Sequence, residues 1–315
     1  MSMKTKICCI TALCLAFGLV PTAIATTTDG IGDIYWIGDV DANYTNPANW
    51  RFGSATGATM QVAPKDNDYQ ANIFLTDAVS ADHRTIVGAN AANQINVTAG
   101  EWKYGFSGTK VVKNLTVESG AMLTVTVGAP KNMEILVRSG ALVTLPGLYW
   151  DSSSVIKGAG TVILDSGING WANSRTATIG SGLVRINATT LFSGTTGNSF
   201  IMNHKAGRVQ YKGTLAEAQK LIGVSGNGKG GVVAGPSILE GYELAVRELD
   251  DPAGYVEFYF RQTAQPILAS ASVARTVEGA YRVTAQLSQG AEGTSVKAIA
   301  VDGSGDRKSV VRERV

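Results

Sequence analysis

Cysteine is almost missing: the 315 residues hold three, Cys8, Cys9 and Cys14, all within the first 25. Those first 25 residues open with Lys4 and Lys6, run apolar from Ile7 to Val20 and close on Ala23-Ile24-Ala25. That is the pattern of a secretory signal peptide, cut between Ala25 and Thr26. Gly18 and Pro21 end the run short of the roughly 20 apolar residues a membrane span requires. Thr-Ala-Leu before Cys14 lacks the small residue of a lipoprotein signal. The mature chain therefore has neither disulfides nor thiolate ligands, and an apolar core must hold it together.

Histidine is equally scarce. His83 and His204 stand alone, which leaves zinc chemistry without a ligand set. Charge of either sign is balanced: without Lys4 and Lys6 the 27 basic residues become 25, against 25 acidic ones. Such a chain has no net field to draw nucleic acid or anionic lipid. No segment after the first 25 residues is apolar for long enough to cross a membrane. Good helix formers cluster only at Leu215–Ile222. What is abundant is glycine, 37 residues, among many Thr, Val and Ser, the composition of an all-β exported protein.

The glycines are periodic. Gly100, Gly120, Gly140 and Gly160 recur at twenty residues, and Gly182 follows after a two-residue insertion. Ile95, Leu115, Ile135 and Val155 precede them by five positions; Val97, Val117 and Val137 precede them by three, and Lys157 breaks that series. Leu123 and Val125, then Val143 and Leu145, follow at spacing two, with Ile163 continuing the first of these columns. Alternate apolar residues put one strand face in a core, and a Ser-Gly or Ala-Gly step supplies a tight corner. A fixed period near twenty predicts units that bury their faces by stacking. At about 3.3 Å per residue the coil perimeter is roughly 65 Å, fitting a three-sided, right-handed parallel β-helix. The alternative is an antiparallel β-sandwich in which each Gly marks a hairpin. A sandwich has no need of equal spacing, and the solenoid is the favoured reading.

Ahead of the repeats, Trp36 and Gly38, then Asn49 and Trp50, then Pro64, Asp66, Asn72 and Phe74 resemble a known opening. It is that of the glycine-rich β-helical repeats in autotransporter-like secreted or surface proteins of Gram-negative-type bacteria. The resemblance covers residues 33 to about 200; it implies a surface solenoid and no defined activity. Physically, the open end of a β-helix must be covered, and Trp36 and Trp50 suit a cap. In a second reading Tyr35, Trp36, Tyr44 and Trp50 are stacking platforms for sugar rings.

From Ala206 the rhythm stops. Thr214 is the expected N-cap and Gly223 the expected stop of a short helix, and 242–262 reads as a hairpin turning at Asp250–Gly254. After Pro266, three strands resemble the start of an immunoglobulin-like or fibronectin-like sandwich. The charged tail 306–315 resembles the read-through of a sequencing adapter, and the expectation is that the natural coding sequence is truncated near Gly305. The expected organisation is a signal peptide at 1–25, a cap at 26–72, repeats at 73–205, a second cap at 206–262, an incomplete sandwich at 263–305 and the tail.

Chemistry is sparse. Asp39, Asp41 and Asn43 alternate as in a calcium loop, but Tyr44 and Trp50 stand where an EF-hand requires Gly and Glu. A looser site shared with Asp33, Asp66 or Asp68 makes calcium the one cofactor on offer. Gly223–Gly230 has phosphate-loop spacing, but Gly230 replaces the magnesium-binding hydroxyl. A glycan hydrolase needs opposed carboxylates. Glu101, Glu118, Glu134, Asp151 and Asp165 form no acidic ladder beside Lys103, Arg138, Lys157 and Arg185, and Asp250-Asp251 reads as a solvated turn. No catalytic residue is assigned. The expectation is a Sec-exported structural or adhesive solenoid, extracellular, at the cell surface or in the periplasm, with glycans or another surface as partner. The alternative is a polysaccharide-degrading protein.

Overall fold

The computed structural model describes residues 32–64, 71–131, 133–147, 149–150, 154–166, 168–170, 176–194, 199–223, 231–238, 241–263, 268–275, 281–287, 295–301 and 307–314. The expected signal peptide with its Ala25–Thr26 cut lies outside these residues, as do Asp66, Asp68, Asp151 and the glycine-rich loop from 224 to 230. The chain forms two units, Met1–Ile238 with Leu244–Tyr259, and Leu239–Glu243 with Phe260–Val315.

The first unit is a β-solenoid of about five turns with about 22 residues per turn. One parallel sheet stacks Gly32–Trp36, Ala71–Leu75, Ala92–Val97, the second half of Glu101–Val117, Glu134–Val137, Ser154–Lys157, Thr176–Ile179, Ser199–Met202 and Gly231–Ala234. A second parallel sheet stacks Thr85–Ala89, the first half of Glu101–Val117, Met122–Lys131, Leu142–Leu145, Thr161–Leu164, Leu183–Ile186 and Arg208–Lys212. A shorter third ladder joins Lys131, Tyr149–Trp150, Ile168–Gly170 and Phe192–Gly194.

Stacking puts like residues in line. Ile34, Ile73, Ile95, Leu115, Ile135, Ile156, Ile179 and Met202 form one unbroken, buried column, each side chain contributing about 1.5–3 kcal/mol by leaving water. Leu75, Val97, Val117 and Val137 form a second column. On the second sheet Trp102, Leu123, Val143, Val162, Val184, Val209 and Phe258 form a third.

Two positions depart from the expected columns. Ile156, not Val155, stands on Ile135, and Val162, not Ile163, stands on Val143. The cause is the corner between the two sheets. Earlier coils turn through Glu118–Ala121 and Arg138–Ala141, each closed by a hydrogen bond of 3.0 Å between the end residues. The next coil turns at Gly158, with φ +88°, and Gly160 donates to the Val137 carbonyl at 3.0 Å. This shorter corner shifts the register by one, leaving Lys157 exposed and 2.7 Å from Glu134 on the rung below. Lys157 therefore marks the shift.

Both ends of the ladders are covered. Trp50–Phe52 pairs antiparallel with Gly32–Trp36, and a bridge from Asn43 to Val87 meets the first strand of the second sheet. At the other end Tyr255–Gln262 runs antiparallel on Arg208–Lys212, and Ile222 bridges Val232. The helix Leu215–Gln219 is capped by Thr214 in a reciprocal pair with Glu217, and Gly223 has φ +71°. The sequence rhythm stops at Ala206 because this helix is inserted between rungs; the stacking continues through Gly231–Ala234. Likewise Gly32–Trp36, expected in the cap, is already a rung.

In the second unit, Leu268–Arg275 pairs antiparallel with Tyr281–Leu287, and Ser295–Val301 with Arg307–Arg314, as two separate two-stranded ladders. Three of the four are the strands expected of an incomplete sandwich; the fourth is the charged tail.

Candidate functional site

The aromatic residues near the N-terminus are core. Trp36, Tyr44 and Trp50 are 1%, 0% and 0% exposed, so none offers a ring face to a sugar. Trp50 meets both Trp36 and Tyr44 edge-on, with centroids 5.0 Å apart in each pair. The indole N–H groups are satisfied internally: Trp50 Nε1 donates to the Tyr44 carbonyl at 2.8 Å and Trp36 Nε1 to the His83 carbonyl at 2.9 Å. A Cβ on Gly38 would stand 2.8 Å from Trp36 Nε1, which explains a glycine two residues after that tryptophan. Of the four expected sugar platforms only Tyr35 faces outward, and Phe74 on the next rung stacks against it at 4.8 Å.

Asp39, Asp41 and Asn43 hold a loop. Buried Asn49 accepts from the amides of Val40 and Asp41 and donates to Asp41 Oδ1 and the Asn43 carbonyl. Asp41 accepts further from the Asn43 amide and from Asn46 Nδ2, and Asn46, Asn43 and Asn49 together hold its carboxyl below the usual carboxylate range. Asp39 pairs with Arg51 at 2.6 Å, and Asn43 Oδ1 accepts from Thr45. Asp33 accepts from Asn72. Among the described residues expected to ligate calcium, Asp33, Asp39, Asp41 and Asn43 thus each accept from an internal donor. Among the described residues no group of three or more His, Cys, Asp or Glu could hold a metal ion.

The outer face of the second sheet carries the remaining chemistry. At its N-terminal end a groove of about 580 Å³ is lined by Arg84, Thr85, Glu101, Lys103, Met122 and Thr124 with the corner glycines Gly100 and Gly120. Arg84 is fixed by its Nε, which donates to the Val79 carbonyl at 2.8 Å. Glu101 and Lys103 are exposed, and Glu101 is the one carboxylate lining the groove. Elsewhere the carboxylates named from the sequence serve the rungs: Glu118 lies 3.6 Å from Arg138, Glu134 pairs with Lys157, and Asp165 accepts from Asn187. Asp250 and Asp251 are exposed in the hairpin turn.

At the C-terminal end of the same face lies a cluster the sequence did not reveal. Glu257, 4% exposed, accepts from Gln210 Nε2 at 2.8 Å and from Arg247 at 2.6 and 2.9 Å, while Arg185 Nε donates to Gln210 Oε1. Gln210 and Glu257 are register partners on neighbouring strands, a pairing across 47 residues that no local pattern announces.

Comparison with protein-family models, with curated proteins and with solved structures found no match.

Proposed function

We propose that this chain is the structural or adhesive β-solenoid of an exported bacterial surface protein, presenting the outer face of its second sheet to glycans. The observation that carries the reading is that face: the rungs from Thr85–Ala89 to Arg208–Lys212 line up Lys103, Thr124, Thr144, Ile163 and Arg185 in one outward column. At about 4.8 Å per rung the column extends roughly 19 Å, enough to contact several sugar units through hydroxyl, apolar and charged groups together. The apolar run before Ala25 supports export through the Sec route, and the Trp36–Gly38 and Asn49–Trp50 pairs support the autotransporter-like resemblance.

A second reading, polysaccharide cleavage, draws on the groove, where Glu101 is set beside Arg84 and Lys103. A base next to cations that stabilise developing negative charge suits a lyase; a lone carboxylate does not suit a two-carboxylate hydrolase. A panel of soluble polysaccharides separates the two. Retention of intact chains supports the adhesive reading, and shortened products carrying a new double bond support the lyase. Mass analysis of exported protein tests the leader: a mature N-terminus at Thr26 is expected.

A further inference from the structure

On that reading of the second sheet as a glycan-binding face, we infer that its C-terminal end is a site for acidic polysaccharides, chains bearing carboxylate or sulfate groups. Four cations, Arg185, Arg208, Lys212 and Arg247, are gathered there around two tyrosines. Arg185 and Lys212 flank the Tyr255 ring, each 5.8 Å from its centroid; Arg208 and Arg247 flank the Tyr259 ring at 5.9 and 4.7 Å. One carboxylate, Glu257, lies among them, and its pair is with Arg247. Among the described residues no ion pair engages Arg185, Arg208 or Lys212.

Gathering like charges costs free energy that the rings return in part, since a cation over an aromatic face gains about 0.5–1 kcal/mol at an exposed site. The side chains are also positioned. Arg208 donates to the Lys205 and Gly207 carbonyls, Arg185 to Gln210, and Tyr255 Oη to Asn187. Arg185 and Arg208 are thus held in place before any ligand arrives, so an anion meets donors whose ordering cost has already been met. Arg208 and Lys212 lie at alternate outward positions of one strand, and Arg185 lies one rung away in the column that runs back to Lys103. A single point anion would use only one of them. Arg208 and Lys212 stand about 13 Å apart along their strand, so a polymer with regularly spaced acidic groups, laid along that last rung beside Arg185, reaches all three. Guanidinium groups match carboxylate and sulfate in two-pronged geometry, with Lys212 as a point charge.

Binding of polygalacturonate, dextran sulfate and neutral dextran to the full chain, titrated at several salt concentrations, tests the site. The expected result is salt-sensitive binding of one or both acidic polymers, weakened at least tenfold in Arg208→Gln/Lys212→Gln. In the charge-matched Arg138→Gln/Lys157→Gln, at a corner and on a strand of the other sheet, it should weaken less than twofold. Polygalacturonate alone would assign the site to carboxylates, and dextran sulfate alone to sulfates. Lys212→Glu, a change at an exposed residue, provides the same readout if the double variant fails to fold. Equal weakening in both double variants would reduce the effect to net charge and overturn the inference. Salt-insensitive binding of neutral dextran, unaffected by Arg208→Gln/Lys212→Gln, would overturn it while leaving the glycan-binding face in place. Binding of none of the three, with only other glycans retained, would also overturn it, and retention of no glycan at all would remove the broader reading too.

Discussion

Asn49 Nδ2 donates to Asp41 Oδ1 at 2.7 Å, and through that contact a buried amide organises an exposed acidic loop. The same side chain makes three further hydrogen bonds, to the Val40 and Asp41 amides and the Asn43 carbonyl. Asn49→Ala would strand several of these partners and should cost about 2–4 kcal/mol, read as a lower midpoint in urea.

Calcium should not rescue that variant or stabilise the native chain. Asp39, Asp41 and Asn43 already accept from Asn43, Asn46, Asn49, Arg51 and Thr45. The melting temperature should be the same in EGTA and in millimolar calcium; a rise of several degrees with calcium would restore the ion to the loop.

The corner glycines should differ in their tolerance of a methyl group. At Gly120 nothing lies within 4 Å of an added Cβ, so Gly120→Ala should cost only the left-handed backbone penalty, about 1–2 kcal/mol. At Gly158 the added Cβ would run into the Val137 carbonyl, and Gly158→Ala should cost more than about 3 kcal/mol. Paired thermal melts compare the two directly.

Within the stacked column, Ile135→Ala should destabilise by about 2–5 kcal/mol. Its neighbour Leu136 lies on the outward side of the same strand, half-buried, and Leu136→Ala should cost less than half as much.

High pH gives a further test. Burial, reinforced by Tyr44, raises the Tyr104 hydroxyl well above its ordinary 10.0, and among the described residues Tyr104 Oη has no hydrogen-bond partner. Unfolded, the phenol releases its proton near 10; folded, it retains it. Its contribution to stability is thus full below pH 10 and lost as pH rises beyond it. Tyr104→Phe should change stability at pH 7 by less than about 1 kcal/mol and flatten the decline between pH 10 and 11.

What was legible in the sequence was what repeats locally. Leu115, Ile135, Leu123 and Val143 fall where equal spacing puts them, because a period of twenty and an alternation of two leave one stacking register. Val155 and Ile163 do not, because a shortened corner at Gly158 shifts the rung, and glycine at both 158 and 160 gives no sign of which one turns. Trp36 and Trp50 were legible first as a cap and second as sugar platforms; their burial decides between the two. Glu257 and Arg247 were hidden. "VEFYF" reads as a strand with one outward charge, and only antiparallel closure onto Arg208–Lys212 sets that charge between Gln210 and an arginine.

The two caps differ in how far apart in the chain their partners lie. Trp36 finds Trp50 fourteen residues on, whereas Val209 must wait forty-nine for Phe258. Whether from a ribosome or from an export channel, the N-terminal pair emerges first, so the first rung has a finished template while later rungs are still to come, and each new coil needs only its predecessor. Assembly can then proceed in the order of synthesis, with the antiparallel hairpin as the last piece to lock. A chain stopped short of residue 255 would leave the rung Arg208–Lys212 as an open edge, the place where two unfinished copies would join.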